Sequence, residues 1–263
     1  YSIEALMPDG KALQSGTSHY FGTDFARAFD ITFQGRDGKV AHPHQTSWGV
    51  STRLLGAVIM VHGDDNGLVL PPLVAPIQVV IVPIAQQKPG VIPAAREIYQ
   101  KYLEAGFRVK LDESDRTPGW KFSEYEMKGV PLRVEVGPRD IEKGIVVLAK
   151  RNDGARQEVK TSEMIEASSA LLTKIQKEMY EKAYRYLLDH VTEVHNLEEL
   201  NAALEKGGYA KMMWCGEEEC ENKVKELTTA TARCLPFNQT PFDEVCPVCG
   251  KKAKKVVLFA KAY

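Results

Sequence analysis

Four of the five cysteines form two close pairs, Cys215 with Cys220 and Cys246 with Cys249. The C-x2-C spacing of Cys246-Pro-Val-Cys249 lets two thiolates point at one ion, and Gly250 permits the tight turn that follows. Alone, this motif also suits redox chemistry. The C-x4-C pair about two dozen residues earlier makes a closed four-cysteine Zn2+ site the better reading. Four thiolates leave no open position for substrate, so the ion is structural. The alternative is a set of unmetallated thiols whose loops are held by packing. Cys234, beside Leu235, Pro236 and Phe237, reads as a free buried cysteine acting as a small hydrophobe.

A second candidate lies in Ser47–Pro72, SWGVSTRLLGAVIMVHGDDNGLVLPP. Ser47, Gly49, Ser51 and Thr52 precede Arg53, and the apolar run Leu54–Val61 follows and reads as a buried helix. Gly49 lets a planar group approach the backbone, and Ser51 or Thr52 offers a capping hydroxyl. A guanidinium in the first turn opposes the helix dipole. Either it grips a phosphate or carboxylate with its planar fork, or it is an exposed arginine that begins a core helix.

The elements that carry these residues fall into three regions. In residues 1–75, strand-like pieces at Ala26–Phe33 and Lys39–Val50 surround the apolar helix. Residues 76–190 alternate strands and helices, the pattern of an α/β unit with a largely parallel sheet. Strands are expected at Gln78–Ile84, Arg108–Asp112, Pro131–Val136 and Gly144–Ala149, with helices at Ile92–Ala105 and Trp120–Lys128. A long helix spans Glu163–His190, where Ile165, Leu172, Met179 and Tyr186 recur every seven residues and Ile175 and Ala183 fill the same face. Residues 191–263 hold a short helix through Leu197, Leu200 and Leu204 that ends at Gly207-Gly208. A strand at Tyr209–Trp214, the cysteines and a terminal strand at Val256–Tyr263 follow.

Composition narrows the class. With 26% charged and 44% hydrophobic residues over 263 positions, the chain is globular, and no apolar run is long or uninterrupted enough to span a bilayer. A formal charge of −1 gives no global basic field, so RNA contacts must come from local patches. The late, crowded cysteines suit a reducing compartment, the cytoplasm, better than a disulfide framework. His42 and His44 read as a turn or strand end, and His62 as a helix-end partner for terminal carbonyls. Asp64 and Asp65 read as turn residues in place of a cation site. Neither a G-x-x-x-x-G-K-[ST] loop nor a G-x-G-x-x-G fingerprint occurs, so a bound nucleotide needs another architecture.

Several stretches carry a resemblance: IEALM at 3–7, KALQSGTSH at 11–19, residues 47–72, DRTPGWKF at 115–122, PLRVEVGPRD at 131–140, the paired cysteines and FAKAY at 259–263. Over essentially its whole length the chain resembles the C-terminal part of prolyl-tRNA synthetases of the archaeal and eukaryotic-like type. These are class II aminoacyl-tRNA ligases of protein biosynthesis. The resemblance implies three domains in an α/β chain. Residues 1–75 would be the C-terminal part of an antiparallel-sheet catalytic domain with motif 3. Residues 76–190 would be an anticodon-binding domain with a mixed sheet and a long C-terminal helix, and residues 191–263 a small α+β zinc-binding domain whose terminal tyrosine carboxylate packs toward the catalytic domain.

By the same resemblance Arg53 is the catalytic, ATP-holding arginine, and Gln14 and Thr17 help seat the nucleotide. His19, Ser47, Trp48 and Gly49 border the proline pocket, and Ser51 and Thr52 lie between the two. The implied reaction joins proline to ATP, with Mg2+, as prolyl-adenylate and then passes the prolyl group to the 3′ end of tRNA(Pro). Such chemistry needs positioning and charge neutralisation more than a nucleophile. Motifs 1 and 2 would lie upstream of Tyr1, so the fragment alone is expected to be inactive and the full-length enzyme a homodimer. Arg116, Lys121, Arg133 and Arg139, near sheet ends, would meet RNA phosphates or base edges, with Trp120 or Phe122 stacking. The alternatives are a non-catalytic tRNA-binding or regulatory paralogue, or another class II synthetase such as the threonyl or histidyl type.

Overall fold

A computed structural model describes all residues, Tyr1–Tyr263. They form two compact units, one comprising Tyr1–Ala57 with Leu187–Tyr263, the other Val58–Tyr186. The division departs from the three-region reading, because residues at the start of the chain pack with those at its end.

The first unit begins with strands β1 (Ser2–Leu6) and β2 (Ala12–Gly22), then a one-turn helix α1 (Asp24–Ala28). The strand expected at Ala26–Phe33 is therefore mostly this helix and a turn. Phe25 and Phe29, four apart, stack with centroids 6.3 Å apart, which a helical turn permits and an extended strand does not. A short hairpin of β3 (Phe33–Gln34) and β4 (Val40–Ala41) leads to β5 (Gln45–Val50), which completes an antiparallel sheet in the order β1-β2-β5. Helix α2 (Arg53–His62) forms from the apolar run as expected. It is not a buried helix: Ala57 is its one buried residue, and Leu55, Ile59 and Met60 are exposed. An apolar run specifies a helix without specifying what covers it.

The second unit is built on β6 (Val79–Pro83), buried along its whole length as a central strand with both faces covered. Helix α3 (Val91–Glu104), strand β7 (Val109–Leu111), helix α4 (Pro118–Met127), strand β8 (Leu132–Val136), helix α5 (Pro138–Lys143), strands β9 (Ile145–Lys150) and β10 (Arg156–Lys160), and helix α6 (Met164–Asp189) follow. The strand order is β10-β9-β8-β6-β7. β6 runs parallel to β7 and β8, while β9 and β10 pair antiparallel, so the sheet is mixed and not largely parallel. The polar edge strand β10, RQEVK, carries too little hydrophobic alternation to announce itself.

Residues alternate across this sheet. Val79, Ile81, Leu132, Val134 and Leu148 pack with α3 and α6, while Val80 and Val82 face Tyr125 of α4. Leu172, Ile175 and Met179 of the seven-residue stripe are buried in the first of these cores. Inside it the Tyr102 hydroxyl bonds Ser168 Oγ at 2.6 Å, joining α3 to α6, and burial pushes the Tyr102 phenol up to about 12.

The chain returns to the first unit through β11 (Val191–Val194), α7 (Leu197–Lys206), β12 (Tyr209–Trp214), α8 (Glu218–Thr228), β13 (Thr231–Cys234) and β14 (Lys255–Ala260). The strands form a sheet in the order β11-β12-β14-β13, packed through Leu200, Leu204, Met212, Val224, Val257 and Phe259. Asn196 caps α7 by accepting the Glu199 N–H at 2.9 Å.

Contacts between the two segments hold the first unit together. Arg233 in β13 ion-pairs with Glu4 in β1, with side chains only 14% and 7% exposed. Gly208 N–H donates to Gly10 O, and Ala12 N–H donates to Lys261 O, each at 2.8 Å. The Tyr263 hydroxyl donates to Asp9 Oδ2 at 2.7 Å, so it is the phenol of the terminal tyrosine, where the carboxylate was the group expected, that meets residues at the start of the chain.

Two loop contacts of the second unit yield tests. Gly67 has φ +123°, and a Cβ there would fall 2.5 Å from Met127 Cα, whereas Gly154, with φ +72°, has open space. Gly154→Ala should therefore cost about 1 kcal/mol of backbone strain, and Gly67→Ala about 3 kcal/mol or more from strain plus the forced shift, read by urea unfolding. Arg151 forks onto both Asp64 oxygens at 2.6 and 2.7 Å, and these hydrogen bonds hold the Asp64 carboxyl at about 2. Because that value lies below the unfolded one of about 3.9, the pair contributes above that pH and its contribution fades as pH falls toward the folded value. The stability difference between the parent and Asp64→Asn should be greatest above pH ~4 and vanish toward pH ~2.

Candidate functional site

Strands β2 and β5 place Thr17 opposite Gly49 and His19 opposite Ser47, so these four share one face of the sheet. No atom lies within 4 Å of the place a Gly49 Cβ would take. Trp48 pairs with Ser18 and points to the opposite face, 78% exposed, so it does not border a pocket with the other three. Gln14 lies beyond a register shift between β1 and β2. Ser51 and Thr52 end the strand side of the turn, where Ser51 Oγ accepts the Arg53 N–H at 3.3 Å, and Arg53 opens α2 exposed to solvent. The face thus offers a hydroxyl pair, an imidazole, a Cβ-free approach and, at its end, a guanidinium. These groups can receive a small polar ligand next to an anion.

The cysteines converge as their spacing requires. The Sγ atoms of Cys215, Cys220, Cys246 and Cys249 all lie within 4.8 Å of one another. Cys215 stands 3.5 Å from Cys220 and 3.8 Å from Cys249. A tetrahedral ion with metal–sulfur bonds of about 2.3 Å sets sulfurs about 3.8 Å apart, so the cluster fits a metal ion. Cys215 follows β12, Cys220 sits in the first turn of α8, and Cys246–Cys249 form a knuckle closed by Gly250 N–H to Cys246 O at 2.8 Å, with Gly250 at φ +70°. Burial pushes the Cys215 and Cys220 thiols up, while the Lys251 backbone N–H draws the exposed Cys249 thiol down to about 7. Cys234 lies outside the cluster and is half-buried, less enclosed than its sequence neighbours suggested.

The second unit gathers polar groups at the carboxyl ends of β6, β7 and β8, where ligands of open α/β sheets bind. Arg116 lies over the Trp120 ring at 5.0 Å, and both are exposed. Arg139 is exposed at the start of α5, just after the Gly137 N–H that Asp140 Oδ2 caps at 2.8 Å. Lys121 is different. It is 1% exposed, and its Nζ donates to Gln86 Oε1 and Asp112 O, both at 2.9 Å, with Asp112 Oδ1 at 3.7 Å. It joins the loops after β6 and β7 and is not a solvent-facing cation, since an unpaired ammonium in that position would carry a large desolvation cost.

On the α4 side of the sheet Arg133 stacks on Phe122 at 3.9 Å, with Nη1 on Glu126 at 3.1 Å and Nε on Glu135 at 3.0 Å. Glu135 also pairs with Arg156. Beside them a cavity of about 370 Å³ is lined by Asp64, Glu126, Arg133, Arg151 and Asn152 among others. Asn152 Nδ2 donates to Glu178 at 2.9 Å, while its Oδ1 is sealed without a partner. Of these groups the sequence reading singles out Arg133 and Phe122 as RNA contacts and Asp64 as a turn residue. The alternation in Pro131–Val136 could have placed Glu135 on the same face, but no local pattern brings Glu126 or Asn152 to it.

Comparison with known proteins shows what the chain is similar to. Residues 78–171 match the family model described as "Anticodon binding domain", and residues 197–263 match "Prolyl-tRNA synthetase, C-terminal". Curated relatives named "Proline--tRNA ligase" from Oceanobacillus iheyensis and Ruminiclostridium cellulolyticum are 52% and 54% identical over the whole chain. A "Proline--tRNA ligase 2" from Bacillus cereus is 53% identical over the same span. The chain spans about half the length of these relatives, 55% of each. With identity above half along every residue and two of its domains matched in order, the chain belongs to the prolyl-tRNA synthetase family.

Proposed function

We propose that the chain is part of a proline--tRNA ligase that activates proline with ATP and Mg2+ and transfers it to the 3′ end of tRNA(Pro). The observation that carries this is the identity of 52–54% with proteins named proline--tRNA ligase across the whole chain. In this reading residues 1–75 are one side of the catalytic domain, 76–190 the anticodon-binding domain and 191–263 the zinc-binding domain.

The reaction sets the roles. The proline carboxylate attacks the ATP α-phosphorus and pyrophosphate leaves. A terminal ribose hydroxyl of tRNA then attacks the prolyl carbonyl and AMP leaves. Negative charge builds on the phosphates in the first step, and a fixed guanidinium at Arg53 offsets it. Gln14, Thr17, Ser51 and Thr52 seat ATP. His19, Ser47 and Gly49 border proline, a small rigid substrate that a pocket of small residues encloses. Trp48 lies on the opposite face of the strand. Zn2+ bound by Cys215, Cys220, Cys246 and Cys249 ties β12, α8 and the knuckle together and takes no part in the chemistry.

In the anticodon-binding domain Arg116 with Trp120, and Arg139, supply exposed charge and a stacking surface for RNA. Lys121 acts behind them by fixing the loops. The polar cavity beside Arg133 suits an unstacked base, with a guanidinium and carboxylate oxygens at its lining to meet the base's polar edge. The full-length protein is taken as a cytoplasmic homodimer. No helix is long and apolar enough to cross a membrane.

In the full-length protein, Arg53→Ala should lower proline-dependent exchange of pyrophosphate into ATP by about 100-fold or more. A full-length protein that binds tRNA(Pro) but shows no exchange would instead be a non-catalytic paralogue. Arg116→Ala, at an exposed position, should raise the dissociation constant for tRNA(Pro) about tenfold and leave proline binding unchanged. Equal binding by the variant and parent chains in a filter assay removes Arg116 from the interface.

A further inference from the structure

A four-thiolate site protects its sulfurs by burying them, and this one leaves a vertex open. Cys215, Cys220 and Cys246 are buried, whereas Cys249 is exposed. The sulfur of this exposed residue is 3.8 Å from a second sulfur, that of Cys215. Cys249 belongs to the short knuckle that Gly250 closes, and nothing lies within 4 Å of the place a Gly250 Cβ would take, so a small shift of the knuckle's end is not blocked on that side as the sulfur closes to a disulfide bond of about 2.05 Å. Cys234 lies outside the cluster and serves as an internal comparator.

We infer that Cys249 is an oxidation site for small hydroperoxides, and that its oxidation closes a Cys215–Cys249 disulfide and expels the bound metal. The inference rests on the zinc reading above. In the first step the Cys249 sulfur attacks one peroxide oxygen, the O–O bond breaks, and sulfenic acid and hydroxide form. In the second the Cys215 thiolate attacks the Cys249 sulfur, the S–S bond forms, and a second hydroxide leaves. Two sulfurs together lose two electrons, the peroxide gains them, and the two hydroxides take protons from solvent to become water. Cys220 and Cys246 alone remain as ligands, too few for a closed tetrahedral site, so the ion departs and the knuckle loosens. A reductant with fresh Zn2+ reverses the change.

The test uses the whole chain loaded with Zn2+ and titrated with hydrogen peroxide. Metal release is followed with a chromogenic chelator, and thiols are mapped by alkylation and mass spectrometry. The expected result is one Zn2+ released per Cys215–Cys249 disulfide, with dithiothreitol and Zn2+ restoring the loaded form. Cys234→Ser should release metal at the parent rate. Cys249→His, which keeps a ligand atom, should slow release by about tenfold or more. Should that variant fail to load, the mapping on the parent chain decides. Retention of metal with Cys249 reduced at peroxide levels that oxidise Cys234, or release through a Cys215–Cys220 disulfide, overturns the inference. A chain that never takes up Zn2+ overturns the zinc reading itself and the inference with it.

Discussion

The first unit depends on one constraint, the meeting of two segments from opposite ends of the sequence at the Glu4–Arg233 ion pair. These residues are 229 positions apart, yet Arg233 Nε and Nη2 both donate to Glu4 Oε2, at 3.1 and 2.9 Å, in a nearly dry setting. Removing either partner would strand a buried charge, at a cost of about 3–5 kcal/mol. Such a pair forms only where geometry is already fixed. The backbone contact of Gly10 with Gly207 and Gly208 helps fix it, for a Cβ on Gly10 would lie 2.8 Å from Gly207 Cα. Tyr263 on Asp9 and Ala12 on Lys261 then extend the contact along the terminal strand. The half-pocket on β2 and β5 and the thiol cluster beyond β12 therefore belong to one folded body, and a change in either segment is felt by both.

The second unit uses charge in a different way. Lys121, Lys150, Arg133 and Arg151 are largely buried, and each is matched by carboxylates or carbonyls: Lys150 by Asp153 and Glu178 at 2.7 Å, Arg151 by Asp64 and Glu126 O. These pairs fix loops after strand ends and at the cavity rim. They do not project positive potential outward. Buried ion pairs add little net stability against apolar replacements, but they set geometry strictly, because each misplacement exposes an uncompensated charge. That suits a surface that must present a few polar atoms in fixed directions.

Periodicity explains which parts were legible from sequence. Long amphipathic or apolar patterns fixed α3, α6, β6 and β14 to within a few residues, and the two cysteine pairs announced their cluster by spacing alone. The misses share a cause. Asp24–Ala28 lies within a mixed aromatic stretch where Phe25 and Phe29 satisfy a helical spacing that a strand reading ignores. Strand β10 is polar on an edge, and α5 is a short helix started by Pro138 and capped by Asp140, features set by local hydrogen bonds and not by apolar period. At the site, the family resemblance groups Trp48 with Ser47 and Gly49, although neighbouring residues on a strand face opposite ways. Lys121 looked like a surface cation until its partners, Gln86 and Asp112, were brought to it by separate loops. Tertiary partners of this kind leave no trace in a local pattern.

A near-neutral chain proposed to bind tRNA faces a physical problem, since long-range attraction of a polyanion needs a net positive field. Four cations of the second unit, Lys121, Arg133, Lys150 and Arg151, are turned inward and add little outward field, so affinity under the proposed function has to come from exposed groups in short contact with the RNA. Exposed Arg116 on Trp120 and exposed Arg139 can each neutralise a phosphate or meet a base edge, and Trp120 gives a face for stacking. Few phosphates neutralised means few counterions released, and so a shallow dependence of affinity on salt. Discrimination then falls to groups that are already oriented, such as the Arg133 plane held between Phe122, Glu126 and Glu135. The cost of orienting that plane is met during folding, so an RNA base that fits beside it need not spend binding energy on ordering it. The few cations held this way thereby give up reach for selectivity, and reach is left to the exposed ones.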